Sequence, residues 1–472
     1  MKCIGSELTS TISDTLGEFL AGLTFDELPE DVIHQAKRVI LDTSGCMMGG
    51  YETDLGASFI NLVKSLDGIS QATLIGDKGK HSWIFAAMGN SYLADLLDYE
   101  QTLTGHESAT IVPAALAAGE FTAASGRAVI RAVVGAYEIQ SRIGLAIAPS
   151  PTRFKQIASP SIEINHTFGA AAAAGTLFTM KGADLGKVLN MAGDLSPIPA
   201  IYKFLERPAS QLKGKYWWCT LAGCFSVLLC QSGFYGPRDI LAGEHGYWIC
   251  AGSDQCDFEA FTRDLGVDYY ILGDSFKPYP SCRWTHPALD GIASIVNAHN
   301  LHADDIASIT IRTSLVINDF NLDDHAPVSM VDAEFSLPYC AAMVIMNIPP
   351  GVGWHLPETR EDKKVREICQ KVEIITDEEL NKQYFESKTE RANPALVEIK
   401  TVQGKVYTEL VTCPKGDPHN KMSDAELEQK FLGLVEPRLR HSDAQKLAEL
   451  VWNLENVEDI SQVTDVIRPH YQ

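Results

Sequence analysis

Positive charge is scarce in this sequence. The chain of 472 residues has 39 lysines and arginines against 61 aspartates and glutamates, a formal net charge of −22. Because such a surface repels phosphate groups at long range, we expect neither nucleic acid nor an anionic membrane as a partner. Apolar runs are short, and none approaches the ~20 residues of a membrane span. The N-terminal segment lacks the apolar core of a signal peptide, so a cytoplasmic location is expected.

Sequence motifs for metals and cofactors are missing as well. The eleven cysteines form no CxxC pair and no cysteine–histidine spacing typical of a zinc site. There is no GxGxxG, HExxH or GxSxG motif, and the segment IGDKGK lacks two of the residues that define a phosphate-binding loop. We therefore expect a protein that needs neither a metal nor a cofactor, with its chemistry carried by ordinary side chains.

The hydrophobic pattern divides the chain into a helical part and a mixed part. Apolar residues recur every three or four positions up to about residue 265, and two alanine-rich helices are predicted to end at Gly126 and Gly182. After about residue 272 the pattern alternates, as in IASITIRT, and a hairpin is predicted around Gly404. A chain of this length exceeds one hydrophobic core. The prediction is a mainly α fold, with a large all-helical domain built from both chain ends (1–272 and 413–472) and a smaller inserted α+β domain (273–412).

The first candidate site is the segment ADLLDYEQTLTGHESATIVPAALAAGE. Asp95 and Asp98 lie three positions apart, on one face if the segment is helical, and His106 lies just before a helix that begins near Ser108. The free N–H groups of a helix start suit a carboxylate ligand, and Asp98 would hold the tautomer of the imidazole. A capping histidine with two solvated acids is the alternative interpretation.

Two further segments gather cations. In SQLKGKYWWCTLAG two lysines precede an aromatic helix, although lysines are unfavourable near a helix start; solvated surface lysines are the alternative. In KPYPSCRWTH two prolines stiffen the chain, and rigid cations suit a multiply charged anion; a proline-rich linker with incidental charges is the alternative. The candidates in the two segments are Lys213, Lys215, Lys277, Tyr279, Arg283 and His286.

Together these segments resemble one family, the MmgE/PrpD enzymes, which are grouped with 2-methylcitrate dehydratase and cis-aconitate decarboxylase. The similarity extends over nearly the whole chain and includes LDTSGCMMGG, LLDYEQTLTGHESATIVPAALAAGE, GFYGPRDILAGEHGY, FKPYPSCRWTHPALDG and AEFSLPYCAAMVI. The resemblance implies a cofactor-independent homodimer whose α+β domain is a lid over the helical domain. It also implies a site between the two domains for a di- or tricarboxylate such as 2-methylcitrate, citrate, cis-aconitate or iminodisuccinate.

The resemblance assigns site residues by their positions in these motifs. Lys277 matches the family's lid lysine, and either Lys213 or Lys215 matches its middle lysine. The implied catalytic residues are His106, Asp98, Lys277, Lys215 and Lys213, with His106 as acid or base. The implied substrate-binding residues are Thr102, Arg283, His286, Tyr279 and His166.

The sequence departs from the decarboxylase-like members at three points. Pro160 stands where the family often has a histidine, and Cys282 replaces a histidine that follows the lid lysine by five positions. A tyrosine expected near TSLVINDF is missing. We therefore expect a dehydratase, which abstracts a proton α to a carboxylate of a citrate-like acid and expels water. Decarboxylation, epimerisation of a dicarboxylate and carboxylate binding without catalysis are the alternatives.

Overall fold

The first half of the chain is helical, as predicted. The computed structural model describes residues 10–66, 68–157, 164–197, 201–204, 206–386 and 394–468, so Pro160 lies outside the described residues. Within these ranges the helices of the first half are α1 (Ile12–Gly22), α2 (Glu30–Tyr51), α3 (Asp54–Ser65), α4 (Trp83–Asp95), α5 (Ser108–Thr122), α6 (Gly126–Ala146), α7 (Pro151–Ile157), α8 (His166–Leu177), α9 (Gly182–Asp194), α10 (Ile201–Phe204), α11 (Tyr216–Gln231) and α12 (Tyr247–Cys250). The strands β1 (Ala72–Thr73) and β2 (Lys80–His81) form a small antiparallel ladder.

Small side chains allow these helices to pack at very short distances. Every residue of α8 is buried, and α11 crosses it with Gly223 at the contact. A Cβ atom at Gly223 would lie 2.5 Å from the carbonyl oxygen of Thr167, so a larger residue would push the two backbones apart. The small residues of α8 and α11 therefore permit a closely packed helical core.

Two glycines that were predicted to end helices begin them instead. Gly126 is the first residue of α6 and Gly182 the first of α9, while Ala123, with φ of 53°, caps the end of α5. A Cβ atom at Gly126 would lie 1.8 Å from the carbonyl oxygen of Leu454. The glycine is thus required by a contact with the C-terminal part of the chain, which a local pattern does not contain.

The mixed part contains a four-stranded sheet. Its strands are β3 (Ile306–Thr313), β4 (Val372–Thr376), β5 (Ala395–Thr401) and β6 (Val406–Val411), in the order β4-β3-β5-β6. β3 and β4 are parallel, whereas β5 and β6 form the predicted hairpin, with Gly404 at φ of 83° in its turn. The helices of this part are α13 (His286–His299), α14 (Val316–Asp319), α15 (Met330–Glu334), α16 (Leu337–Ile345), α17 (Pro357–Glu361), α18 (Lys363–Cys369) and α19 (Glu378–Glu386).

The last helices return to the first ones. They are α20 (Asp424–Val435), α21 (His441–Trp452) and α22 (Ser461–Ile467). α20 packs on α2, where the buried Lys430 ammonium lies 2.7 Å from a carboxylate oxygen of Asp42. One hydrophobic core contains residues from both chain ends, between Leu16 and Ile467, and a second contains residues between Cys282 and Ile399.

The mainly α character of the fold is confirmed. The boundaries at residues 272 and 412, and the function of the smaller unit as a lid, stay predictions. Among the described residues, no helix is both long enough and apolar enough to cross a lipid bilayer.

Candidate active site

The loop between α4 and α5 carries the first part of the site. Asp98 is fully buried in this loop and adopts φ of 49°, a left-handed conformation that is uncommon for a residue other than glycine. Its backbone N–H donates to the carbonyl oxygen of Asp95 at 2.9 Å. Strained backbone of this kind persists where surrounding contacts fix it, and it is often found at functional sites.

Lys277 provides the contact that fixes Asp98. The buried Lys277 ammonium donates to the carbonyl oxygen of Asp98 at 3.0 Å and to its Oδ1 atom at 2.5 Å. The segment that carries Lys277 is held by a backbone bridge, in which Thr102 and Ser275 exchange hydrogen bonds of 2.9 and 3.0 Å. Thr102, a predicted substrate-binding residue, therefore contributes its backbone to the placement of Lys277.

Lys213 joins this cluster. The Lys213 ammonium donates to the carbonyl oxygen of Asp95 at 2.6 Å and lies 2.9 Å from Oε2 of Glu334. It lies 3.7 Å from the Oδ1 atoms of both Asp95 and Asp98. Gly214, with φ of 46°, turns the chain so that Lys215 becomes the half-buried N-cap of α11.

The neighbouring carboxylates keep Lys213 charged. Burial by itself would lower the pKa of the Lys213 ammonium, yet the carboxylates of Asp95, Asp98 and Glu334 raise it above its ordinary value. For Asp98, burial would raise the pKa of the carboxyl, but the ammonium groups of Lys213 and Lys277 bring it below its ordinary value. These groups therefore face each other as ions.

His106 lies at the centre of the cluster. Its Nδ1 atom is hydrogen-bonded to the Glu100 carboxylate and lies 3.6 Å from Oδ1 of Asp95, while its Nε2 atom lies 3.8 Å from Oδ1 of Asp98. Burial would lower the pKa of the imidazole, but Glu100 and then Asp98 raise it above the ordinary value. Despite burial, the cations around Glu100 lower the pKa of that carboxyl to about 2. The protonated form of His106 is thus favoured beside an ionised Glu100.

A second imidazole positions His106 through its backbone. The His106 N–H donates to Nε2 of His166 at 3.1 Å, so that this nitrogen of His166 carries no proton. The ring centroids of His106 and His166 lie 5.1 and 4.7 Å from that of Tyr216. His166 therefore lies beside His106, where it acts as a hydrogen-bond acceptor, and its predicted role in substrate binding stays a prediction.

The amide groups near His106 are already bound to a carboxylate. The side chain of Glu107 accepts hydrogen bonds from the N–H groups of Leu103, Thr104 and Gly105 at 3.1, 2.8 and 3.0 Å. We expected the N–H groups around this helix start to suit a carboxylate of the substrate. These three amides of the loop bind a carboxylate of the chain instead, and the loop is fixed by it.

Arg283, His286 and Tyr279 lie beside the cluster and not within it. Arg283 donates to the carbonyl oxygen of Lys415 at 3.1 Å, and the Tyr279 hydroxyl donates to Asp290 at 3.0 Å. His286 donates from Nε2 to the carbonyl oxygen of Ser281 at 3.1 Å, and burial lowers the pKa of its imidazole well below the ordinary value. Among the described residues these three make no hydrogen bond or ion pair with His106, Lys213 or Lys277.

Three buried side chains of the site were missed by sequence reasoning. Glu100 is hydrogen-bonded to His106. Glu334, the last residue of α15, pairs with Lys213, and burial raises the pKa of the Glu334 carboxyl well above its ordinary value. His355 is buried with no hydrogen bond to either ring nitrogen among the described residues, and burial, with Lys213, lowers the pKa of its imidazole to about 3. A charged residue within an apolar motif, as in AEFSLPY, was the available signal for Glu334.

A cavity of about 330 Å³ lies elsewhere, in the C-terminal part of the chain. It is bounded by the ends of α13 and α16 and by Tyr279 and Trp354, and none of the ionised residues around His106 lines it. The candidate site is therefore identified by its ion pairs and not by this cavity.

Three residues of the candidate site could bind a metal ion. The donor atoms of Asp95, Glu100 and His106 lie close enough together for this, although the Lys213 ammonium lies 3.7 Å from Oδ1 of Asp95. The expectation of a metal-free protein stays a prediction.

Comparison with known proteins identifies the family. The model of the MmgE/PrpD N-terminal domain matches residues 14–259, and that of the MmgE/PrpD C-terminal domain matches residues 279–456. A cis-aconitate decarboxylase of Aspergillus terreus is 22% identical over 496 residues, which cover 98% of this chain and 97% of the relative. The human cis-aconitate decarboxylase is 23% identical (98% and 95% covered), and the cis-aconitate decarboxylase-like protein oryM of Aspergillus oryzae is 19% identical (99% of both). The chain belongs to the MmgE/PrpD family.

Proposed function

We propose that this protein is a lyase that transfers a proton to or from a carbon next to a carboxylate of a small organic polyacid. The observation that carries the proposal is the position of His106, which is hydrogen-bonded to Glu100 in a cluster that also contains the ammonium groups of Lys213 and Lys277. The carboxylates around the imidazole raise its pKa and so favour the protonated form. A side chain that is protonated before the reaction begins acts first as a general acid.

Decarboxylation is the bond-breaking step with the stronger support. When the carbon–carbon bond to a departing carboxylate breaks, its electron pair stays on the remaining carbon and delocalises into a neighbouring carboxylate. Lys213 and Lys277 would stabilise that charge, and the carbon would take a proton from His106. Nε2 is the nitrogen that would deliver it, because Nδ1 is engaged by Glu100. The relatives named as decarboxylases agree with this step.

Dehydration, the first expectation from the sequence, is the second candidate. It requires a base for the proton α to the carboxylate and an acid for the departing hydroxide. Burial raises the pKa of the Asp95 carboxyl to about 6, so that at pH 7 it is ionised and is a stronger base than an ordinary aspartate. Asp95 would take the carbon-bound proton, and His106 would protonate the hydroxide that leaves as water.

A reaction screen in D₂O distinguishes these steps. Each of citrate, 2-methylcitrate, cis-aconitate and an aminodicarboxylate is incubated with the protein and followed by NMR spectroscopy and mass spectrometry. Decarboxylation releases CO₂ and leaves one deuteron on carbon, dehydration yields an alkene, and epimerisation exchanges one C–H without loss of mass from the skeleton. Binding of these acids without exchange or conversion would contradict the lyase proposal and favour a carboxylate-binding protein.

His106 variants test the acid directly. His106→Asn should lower kcat by about 10²–10⁴-fold, the usual contribution of a positioned acid or base. The matched control is His245→Asn, because the His245 side chain is 93% exposed and lies outside the site. Turnover by His106→Asn at the rate of the control would show that another residue transfers the proton.

A further inference from the structure

His355 is the last residue of a short 3₁₀ helix (Val352–His355) that contacts both hydrophobic cores. Val352 packs against the core that contains the two chain ends, whereas Trp354 belongs to the core of the mixed part. The 3₁₀ helix also packs on α15, the helix that ends at Glu334. The mixed part of the chain therefore brings His355 next to the helical part.

Hydrogen bonds fix this 3₁₀ helix through its backbone and its tryptophan. The carbonyl oxygen of His355 accepts a hydrogen bond from Arg360. The Trp354 indole N–H donates to the carbonyl oxygen of Ile348 at 2.9 Å. The His355 imidazole takes part in none of these bonds, so the position of the residue does not depend on its ring nitrogens.

The imidazole of His355 is buried without a hydrogen bond. The residue is 4% exposed, and neither Nδ1 nor Nε2 has a hydrogen-bond partner among the described residues. Two other buried histidines are bonded at Nε2, where His166 accepts from a backbone N–H and His286 donates to a carbonyl oxygen. Buried polar atoms without partners are costly. His355 thus has a capacity for hydrogen bonding that the fold itself does not use.

The ring of His355 lies close to the residues of the candidate site. Burial, and then the Lys213 ammonium, lower the pKa of its imidazole to about 3, whereas the Asp98 carboxylate acts in the opposite direction. The carbonyl group of Leu97, next to Asp98 in the chain, faces the ring without reaching hydrogen-bonding geometry. At pH 7 the imidazole is therefore neutral, with one N–H and one lone pair to offer beside Lys213 and Asp98.

We propose that His355 is a substrate-binding residue, whose ring N–H donates a hydrogen bond to a carboxylate oxygen of the polyacid. The inference rests on the proposed lyase function and adds to it a contact from the mixed part of the chain. An uncharged donor binds a carboxylate without changing the charge balance around Lys213 and Asp98. The His106 side chain of the same site is 18% exposed, so a small solute reaches the cluster from solvent.

Binding of tricarballylate to the full-length protein tests this contact. The acid has three carboxylates and neither a hydroxyl group nor a double bond, so it reports binding without dehydration. Isothermal titration calorimetry at pH 7 compares the wild type with His355→Phe, which keeps a planar ring, and with His355→Gln, which keeps an N–H donor. We expect His355→Phe to weaken binding by about 10-fold or more, and His355→Gln by less than about 3-fold.

The control for binding is His245→Phe, at a side chain that is 93% exposed, and it should bind tricarballylate like the wild type. Binding by His355→Phe at the affinity of the wild type would overturn the inference. Equal losses in His355→Phe and His355→Gln would do the same, because the loss would then not follow the N–H donor. No binding by the wild type would also overturn it.

The stability of the variants distinguishes a binding histidine from a structural one. His355→Phe removes two buried nitrogens that have no partner, so the midpoint of urea unfolding should be unchanged or higher. His286→Phe breaks the hydrogen bond to the carbonyl oxygen of Ser281 and should lower the midpoint. A His355→Phe protein that does not fold, or that loses as much stability as His286→Phe, would overturn the inference.

The two proposals fail in different ways. If tricarballylate binding depends on His355 but no polyacid undergoes exchange or conversion in D₂O, the contact stands and the lyase function is wrong. If a polyacid is converted while His355→Phe binds tricarballylate like the wild type, the lyase function stands and the contact is wrong.

Discussion

The ammonium of Lys277 lies 2.5 Å from Oδ1 of Asp98, although 179 positions separate the two residues in the sequence. Lys277 also donates to the carbonyl oxygen of Asp98, which has left-handed backbone geometry. The pair joins the start of the mixed part of the chain to the loop of the helical part that carries His106. Both side chains are buried, so a change in either one affects the charge balance of the whole site.

Lys277→Met should remove activity and stability together. The loss of a preorganised cation should lower kcat by about 10²–10³-fold. Removing the cation nearest to the buried Asp98 carboxylate should lower the free energy of unfolding by about 3–5 kcal/mol. Urea unfolding and turnover of the substrate found in the D₂O screen measure the two effects, with the exposed Lys363→Met as the control.

A double variant separates the two roles of Lys277. Lys277→Met combined with Asp98→Asn also removes the carboxylate that has lost its nearest cation, so we expect much of the lost stability to return while kcat stays low. Recovery of kcat along with stability would show that Lys277 acts only in folding.

Substitution of Lys213 should lower kcat far more than substitution of Lys215. Lys213→Met removes an ammonium that pairs with Glu334 and contacts Asp95, and it should lower kcat by about 10²-fold or more. Lys215→Met is the matched variant two positions away, at the half-buried N-cap of α11, and should change kcat by less than about 3-fold. The steady-state kinetics of both variants check this, and equal losses would argue against the assignment of Lys213 to the site.

The pH profile should show one deprotonation above pH 6.5. Because Glu100 raises the pKa of His106 above its ordinary value, the imidazolium and the stability of its ion pair are fully present below pH 6.5. Both are lost as the pH rises through the folded-state pKa. If His106 acts as the acid, kcat should therefore fall with the same midpoint.

Glu100→Gln should move that midpoint to lower pH, because the carboxylate that favours the charged imidazole is removed. The Glu100 carboxyl itself, with a pKa of about 2, stays ionised throughout such a measurement. Kinetics and an NMR titration of the His106 ring from pH 5 to 9 measure the midpoint. A profile that is the same in Glu100→Gln and in the wild type would contradict the role of His106.

The homodimer implied by the family resemblance stays a proposal, and α11 supplies a surface for it. Trp218 and Phe225 lie seven positions apart, on one face of this helix, and each is 44% exposed; the half-buried Leu221 lies between them. Large apolar side chains grouped on a surface often mark an interface.

Charged substitutions at this surface test the dimer. Trp218→Glu combined with Phe225→Glu should give a monomer in light scattering coupled to size-exclusion chromatography at micromolar concentration, whereas the wild type and the exposed Val267→Glu control should be dimers. A wild-type monomer would contradict the proposal directly.

Local structure could be read from the sequence with few errors. The helix over α2, the strand β3 and the hairpin at Gly404 follow from their hydrophobic periods and turn residues, which depend on neighbours a few positions apart. The helix start at Gly126 was misjudged because this glycine is needed for a contact with the backbone of Leu454, which is distant in the sequence.

The sequence by itself determined the helical and mixed parts, the family, and the segments in which His106, Lys213 and Lys277 would be found. Only the tertiary structure decided which groups meet. It turned Lys213 inward and left Lys215 at a helix start, and it directed Arg283 to partners outside the cluster. The ionisation of a buried group depends on charges within a few ångströms, and here those charges come from segments more than a hundred residues apart in the sequence.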